Sequence, residues 1–368
     1  MHDNNQPQPR SARLRAALGW IVVTPWLAAL AAWLVGRAVG DRFLWSQYLE
    51  WVPTESIVLT GLGVALVEGL LRGRHARRVR FPLLAVAALT AWLLLGEWHL
   101  WRAVVPARGQ PDLRLTFMNI SHGAPHVDLE TLFKTGGDIV ALSNVHPNRI
   151  SFEKLYGFPP AELLGRTIGL TPGESPPGEI HIVRHGMFRL FSRWPVSRRA
   201  SASVIPQESW IEGDIKGGGG VAMFQIEAPD GPLIVWLVDM PRTLGASRRT
   251  LFEQMAGRIA EVDRVLEAND MGRWVLAPRR ENDPLFDPDV VVGDFNTPGQ
   301  AWSLSRFQPG LRPARADAGF GPAGTFPSSW PLFEIDLARL GPMIHATGTG
   351  RFRCRGARHL GLWLDLDR

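Results

Sequence analysis

The chain has 368 residues, 45% of them hydrophobic, with 40 Lys and Arg against 35 Asp and Glu. That apolar share excludes disorder, and 38 Gly and 29 Pro without a three-residue period exclude a collagen-like fibre. The charge is unevenly placed: residues 1–108 hold 12 Arg, no Lys and six acids, a net +6, whereas residues 109–368 carry a net −1. The larger part has no bulk positive field with which to gather nucleic acid, so a nucleic-acid partner is not favoured by charge. The one cysteine, Cys354, cannot form an internal disulfide and reads as a small buried hydrophobe on a strand.

Three apolar stretches come first, each near the roughly 20 residues that a helix needs to cross a bilayer. They run from about Leu18 to Gly36, Val52 to Leu71 and Phe81 to Trp101, and predict three transmembrane helices within a membrane module covering 1–108. Trp20, Trp45, Tyr48, Trp51, Trp98 and Trp101 lie near the ends, where amphipathic rings favour the headgroup level. Glu55, Glu68 and Glu97 are expected to snorkel from the span ends. A cleaved signal peptide accounts only for the first stretch, and Trp and Arg follow it instead of an A-x-A site. Arg10, Arg13 and Arg15 precede the first span, and Arg72, Arg74, Arg77, Arg78 and Arg80 fill the loop between the second and third. The positive-inside rule places both in the cytoplasm. With three spans, the expectation is an integral membrane protein, its partner the lipid bilayer, with an extracytoplasmic C-terminal domain held close by the connector AVVPARGQP.

From Asp112 onward, short apolar strands alternate with helical patterns. LRLTFMNI (113–120) and DIVALSNV (138–145) read as strands around a helical VDLETLFKT. EIHIVRH and MFRLFSRW follow as strands around His185-Gly186, and VAMFQIEA and LIVWLVDM flank the hairpin signal Pro229-Asp230-Gly231-Pro232. The four-glycine run 217–220 lacks the Lys-Ser/Thr of a phosphate loop and reads as a flexible hairpin. Residues 247–268 form an amphipathic helix with Leu251, Met255, Ile259, Val262 and Leu266 on one face. DVVVGDF (289–295), EIDLARLG (334–341), RFRCR (351–355) and GLWLDL (361–366) complete an α/β pattern: a two-sheet β-sandwich flanked by helices, four layers in all. Arg351, Arg353 and Arg355 alternate, so on a strand they share one face, either as a phosphate-binding row or as a charged edge.

The order of these segments resembles the endonuclease/exonuclease/phosphatase superfamily, over roughly residues 112–368. VVVGDFNTP (291–298) is the strongest match, to the family's GDFN segment. LTFMNI looks like the first strand ending in Trp-Asn, DIVALSNV like DIVALQEV, and FSRWPV like the SRYPI turn. GTFPSSWPLFEIDLARL resembles the threonine-Trp-Pro and IDH region, and GARHLGLWLDL the terminal SDHRPV. The resemblance implies a deoxyribonuclease I-like fold and metal-dependent hydrolysis of phosphate esters.

Carried over residue by residue, it makes Asn119 the first-strand Asn, Asp294 the group that orients or deprotonates the attacking water, and Asn296 a phosphate contact. Asp336 becomes the carboxylate partner of the terminal His359, a coherent acid/base dyad, since the carboxylate fixes the tautomer and raises basicity. The rest departs. The metal-ligating Glu is Asn144 here, the central-strand His falls on Met240 or Asp239, and the acid before the terminal His is Arg358. Asp239 is either a substitute carboxylate or a turn residue before Pro241; His146 is either a substitute ligand or a surface residue before Pro147. Arg358 and Arg355 are candidate phosphate-binding groups.

Two readings follow. One is a membrane-tethered, extracytoplasmic phosphoesterase of this family, using Mg²⁺ or Mn²⁺, with a degenerate metal site. The other is an inactive pseudoenzyme, using no cofactor, that binds a phosphorylated ligand, lipid headgroup or protein. Asn144 and Arg358 together predict weak binding of a divalent ion.

Overall fold

The computed structural model describes residues 10–72, 80–105, 109–121, 131–132, 135–145, 181–204, 219–242, 245–268 and 287–368. The chain forms two compact units, Met1–Leu100 and Trp101–Arg368.

The first unit is helical: α1 (Arg10–Val39), α2 (Leu44–Glu50), α3 (Thr54–Arg72) and α4 (Arg80–Trp92). Val23 and Trp26 of α1, Val64 of α3 and Val86 of α4 form its apolar centre. Among the described residues, two segments, Ala17–Arg42 and Thr54–Leu71, are long and apolar enough to cross a membrane. The third predicted span differs. Its apolar helical part is the shorter Pro82–Glu97, because α4 loosens into a π turn (Leu93–Glu97) and then breaks. Glu97 is the reason. It accepts hydrogen bonds from Thr54 Oγ1 (2.7 Å) and Trp92 Nε1 (3.1 Å), and lies 3.5 Å from the Arg37 guanidinium, which also donates to Thr54 Oγ1. A helix continuing straight would pull this carboxylate from its partners. Glu55 is likewise held, by Trp98 Nε1 at 3.1 Å, and Glu68 is buried, so neither snorkels freely.

The second unit holds two six-stranded mixed sheets. The first has the order β11 (His345–Phe352), β12 (Gly361–Asp367), β1 (Leu113–Asn119), β2 (Ile139–Ser143), β4 (Phe188–Ser192), β3 (His181–His185). The second has the order β5 (Val196–Ser203), β6 (Gly220–Ala228), β7 (Gly231–Asp239), β8 (Val290–Asp294), β10 (Asp336–Leu340), β9 (Arg312–Pro313). Side chains alternate between faces along each strand, so each inner face is an every-other-residue series. Leu115 and Phe117, Ile139 and Ala141, Leu233, Val235 and Leu237, and Val290 and Val292 interdigitate as the core between the sheets. The opposite face of the second sheet carries Met223, Trp236 and Val291. They pack on α5 (Arg248–Ala268) through Leu251, Phe252, Met255 and Ile259, and on α6 (Leu304–Phe307) through Phe307. Val262 follows half-buried on the expected face; the Leu266 side chain lies outside the described residues. On the outer face of the first sheet, Met118, Val140 and Leu142 pack with Leu132, Cys354 and Ala357.

Three strand expectations change. RFRCR is not a strand: β11 ends at Phe352, so Arg353 and Arg355 leave the ladder and the three arginines share no strand face. Arg351, half-buried, donates to the Gly324 carbonyl, and Cys354 is buried just beyond the strand. Most of β11 lies in HATGTG, where glycines replace the usual strand formers because the Trp363 indole covers them. A Cβ at Gly350 would lie 2.5 Å from that ring. β5 is an edge strand whose arginines and serines hide its alternation of Ala200 and Ala202 toward the core. Gly219 and Gly220 lead into β6, with Gly219 against Pro241; the rest of the glycine run, and nearly all of VDLETLFKT, lie outside the described residues.

Asp112, Arg368 and the β6–β7 turn gather at one end of the sandwich. Arg368 N donates to Asp112 (3.1 Å), and its guanidinium donates to the carbonyls of Gly231 and Pro232. β1 runs away from that end, and its last residue, Asn119, stands at the other.

Candidate functional site

At that far end the inner-face series turn polar together. Leu115–Phe117 is followed by Asn119, Ile139–Ala141 by Ser143, Leu233–Val235–Leu237 by Asp239, Val290–Val292 by Asp294, and β10 begins with Asp336. Strand pairing brings them side by side. Asn119 is opposite Ser143, Asp239 is opposite Asp294, and Asp336 is opposite Asp294 on its other flank. Three carboxylates thus form one row across β7, β8 and β10, 5%, 2% and 1% exposed.

Each is fixed by neighbours. Asp294 accepts from Asn119 Nδ2 (2.7 Å) and from the Asn296 backbone N–H (2.9 Å). Asn296, at φ +46, lies in the left-handed region that asparagine tolerates, and its Nδ2 donates to the Met240 carbonyl at 2.7 Å. Asp336 accepts from His359 Nδ1 at 2.9 Å; the same nitrogen is 3.9 Å from Asp294 Oδ2. Thr325 sets this pair. Its Oγ1 accepts from the Asp336 backbone N–H (3.1 Å), its carbonyl accepts from Leu360 N–H (2.8 Å), and neighbouring Phe326 covers the His359 ring at 4.9 Å between centroids. Thr325 and Phe326 escaped the sequence reading as site residues, though they sit in the segment that carried the resemblance.

The electrostatics follow from burial. Burial removes solvation from Asp294, and the Asp336 charge beside it adds repulsion; against the opposing pull of His359 and the donors, its carboxyl is pushed up to about 7. Asp239 is raised well above the carboxylate range by burial, then by Asp294 and Asp336, with contacts from Ser143 and Asn144 acting the other way. Burial alone would lower His359, but the Asp336 charge and hydrogen bond, with Asp294, outweigh it and raise the imidazole to about 9.

The remaining sequence candidates divide. Asn144 belongs to the site, at φ +57, and donates Nδ2 to Asn119 Oδ1 at 3.1 Å, so it contributes a donor where the resemblance implied a carboxylate. Asp239 belongs to it as well. The signal was legible, because an apolar alternating strand ending in Asp is the pattern of VVVGD repeated in LIVWLVD. Arg358 and Arg355 are exposed; Arg358 lends its carbonyl to Ser328 N–H (2.7 Å) and opposes the charge on His359 only as the smallest influence. His146 lies outside the described residues.

A divalent cation is implied by the resemblance, and the donor set fits one on the second sheet rather than the first. Asp294, Asp336 and His359 offer ligand atoms within 4.8 Å of one another. Asp239 Oδ2 and Asp336 Oδ1 are buried with no hydrogen-bond partner. Hard cations take such carboxylate oxygens.

No protein-family model matches the chain, and neither does any curated protein. Among solved structures, the chain is similar to a mannosyl-6-phosphatase from Bacteroides thetaiotaomicron, with 14% identity over 70% of this chain and 100% of that one, at a TM-score of 0.45. It is also similar to an endonuclease/exonuclease/phosphatase protein from Bacteroides vulgatus, with 12% identity over 69% and 98%, at 0.43. The human Nocturnin catalytic domain shows 13% identity over 70% and 95%, at 0.43.

Proposed function

We propose that the second unit is a phosphoesterase domain of the endonuclease/exonuclease/phosphatase kind, hydrolysing phosphate esters at the site formed by Asn119, Asp294, Asn296, Asp336 and His359. The observation that carries this is one geometry: His359 Nδ1 stands 2.9 Å from Asp336 and 3.9 Å from Asp294, which Asn119 holds at 2.7 Å. These residues, distant in sequence, are the ones the motifs nominated. A carboxyl raised to about 7 titrates near neutral pH, where a general base for an attacking water is most effective. An imidazole raised to about 9 is an imidazolium at that pH, a fixed positive charge for a phosphate oxygen and a proton donor for the leaving group. A divalent cation bound beside them supplies further charge against the phosphate and acidifies its bound water. On this reading the helical unit anchors the domain to a membrane and places it on the extracytoplasmic side.

The test is turnover of bis(p-nitrophenyl) phosphate and p-nitrophenyl phosphate by the purified full chain, with and without Mn²⁺. His359→Ala and Asp294→Asn should each lower kcat about 10²- to 10⁴-fold. No turnover of either ester by the wild-type chain, with phosphate binding retained, would establish the binding-only alternative instead.

A further inference from the structure

Asp239 ends the inner face of β7, nine-tenths and more buried, with Ser143 and Asn144 near its carboxyl and no hydrogen-bond partner for Oδ2 among the described residues. Two strands away Asp336 Oδ1 is in the same condition, while Asp294 between them has both oxygens engaged by Asn119 and Asn296. A buried carboxylate oxygen without a donor is costly, and one on each flank of Asp294 calls for a positive partner shared along the row. Three carboxyl groups meet one imidazole in this row, which leaves oxygen donors for a divalent ion. The first sheet offers the reverse. Asn119 Oδ1 already accepts from Asn144 Nδ2 (3.1 Å) and from Ser121 N–H (2.8 Å), so its lone pairs are taken by the amide that stands in place of a carboxylate.

We propose that Asp239 is a ligand for a divalent, oxygen-preferring cation such as Mg²⁺ or Mn²⁺, bound beside Asp294 on the second sheet. On this assignment the cation is held at the ends of β7 and β8, whereas the resemblance implied a carboxylate ligand at position 144, just past β2. Asp239 reaches the row because parallel pairing sets it opposite Asp294 and the two-residue alternation turns both inward. This rests on the phosphoesterase reading for its purpose, but not for its measurement.

The experiment titrates Mn²⁺ into the purified full chain, reading free Mn²⁺ by electron paramagnetic resonance and thermal stability in parallel. Wild type should bind one ion and gain Tm; Asp239→Asn should bind at least tenfold more weakly and lose that gain. In chelator Asp239→Asn should melt no lower than wild type, because the amide removes repulsion from Asp294 without changing shape, which separates a lost ligand from a lost fold. Equal Mn²⁺ affinity in Asp239→Asn and wild type overturns the assignment. Absence of any wild-type binding at millimolar Mn²⁺ overturns the cation site itself. His359-dependent turnover in chelator would then show that the phosphoesterase reading stands without it.

Discussion

Asp239 and Asp294 are register partners across the parallel β7–β8 pair, two buried carboxylates at the ends of adjacent apolar strands. Neither sits at a surface where water would screen the other. Their closeness links the site to the pH dependence of folding.

Stability should fall as pH rises from about 4 to about 9. Asp294, raised from 3.8 to about 7, stabilises the fold fully below its unfolded value and loses that contribution as pH passes 7. His359, raised from 6.5 to about 9, contributes fully below 6.5 and loses it through 9. The two slopes add. Urea denaturation across this range measures them, and Asp294→Asn should flatten the portion near pH 7; an unaltered slope would contradict the shift.

Replacing Asp336 by Asn should lower the His359 pKa from about 9, since the charge and the hydrogen bond that overcome burial are both weakened. Histidine-labelled NMR on the full chain reads it, with His359→Gln assigning the resonance. A pKa that stays or rises breaks the dyad.

Asn144→Glu combined with Arg358→Asp restores both carboxylates implied by the resemblance. Two effects compete. At φ +57 a glutamate is strained by roughly 1–2 kcal/mol relative to a relaxed backbone, so the variant should melt lower in chelator. The added anion beside Asn119 should strengthen Mn²⁺ binding, with Arg358→Asp alone contributing little because that side chain is exposed. Calorimetry with and without chelator separates the terms.

Gly293→Ala should destabilise the second unit by about 3 kcal/mol or more, because a Cβ there would lie 2.0 Å from the Val238 carbonyl oxygen of the neighbouring strand. The glycine of GDFN is thus a requirement of strand packing. A melting shift of under 2 °C would show that the strands can part.

A reporter fused after residue 110 should be active only in its export-dependent form if 81–101 crosses the membrane. With only the two long segments, Ala17–Arg42 and Thr54–Leu71, spanning, the same fusion would report from the cytoplasm. Short helical length at Pro82–Glu97 makes this the decisive topological measurement.

The strands with clean apolar alternation were legible, and the motifs singled out Asp294, Asn296, Asp336 and His359, which the fold brings together. What resisted reading has physical causes. Small residues in HATGTG carry no hydrophobic signal, since the partner Trp363 supplies the packing. Arginines in β5 mask an edge strand. That Asp239 stands beside Asp294 depends on register between strands 55 residues apart in sequence, and no local pattern encodes that pairing. Glu97 ends a helix through partners on two other helices, which hydropathy cannot see.

Asp112 is held beside Arg368, and the seven residues of β1 then run to Asn119. At about 3.3 Å per residue that is roughly 20 Å of strand between Asp112 and the carboxylate row. The β1–β12 ladder therefore stands between the Asp112–Arg368 end and the carboxylate row, so a substitution at the first end is expected to leave the second in place.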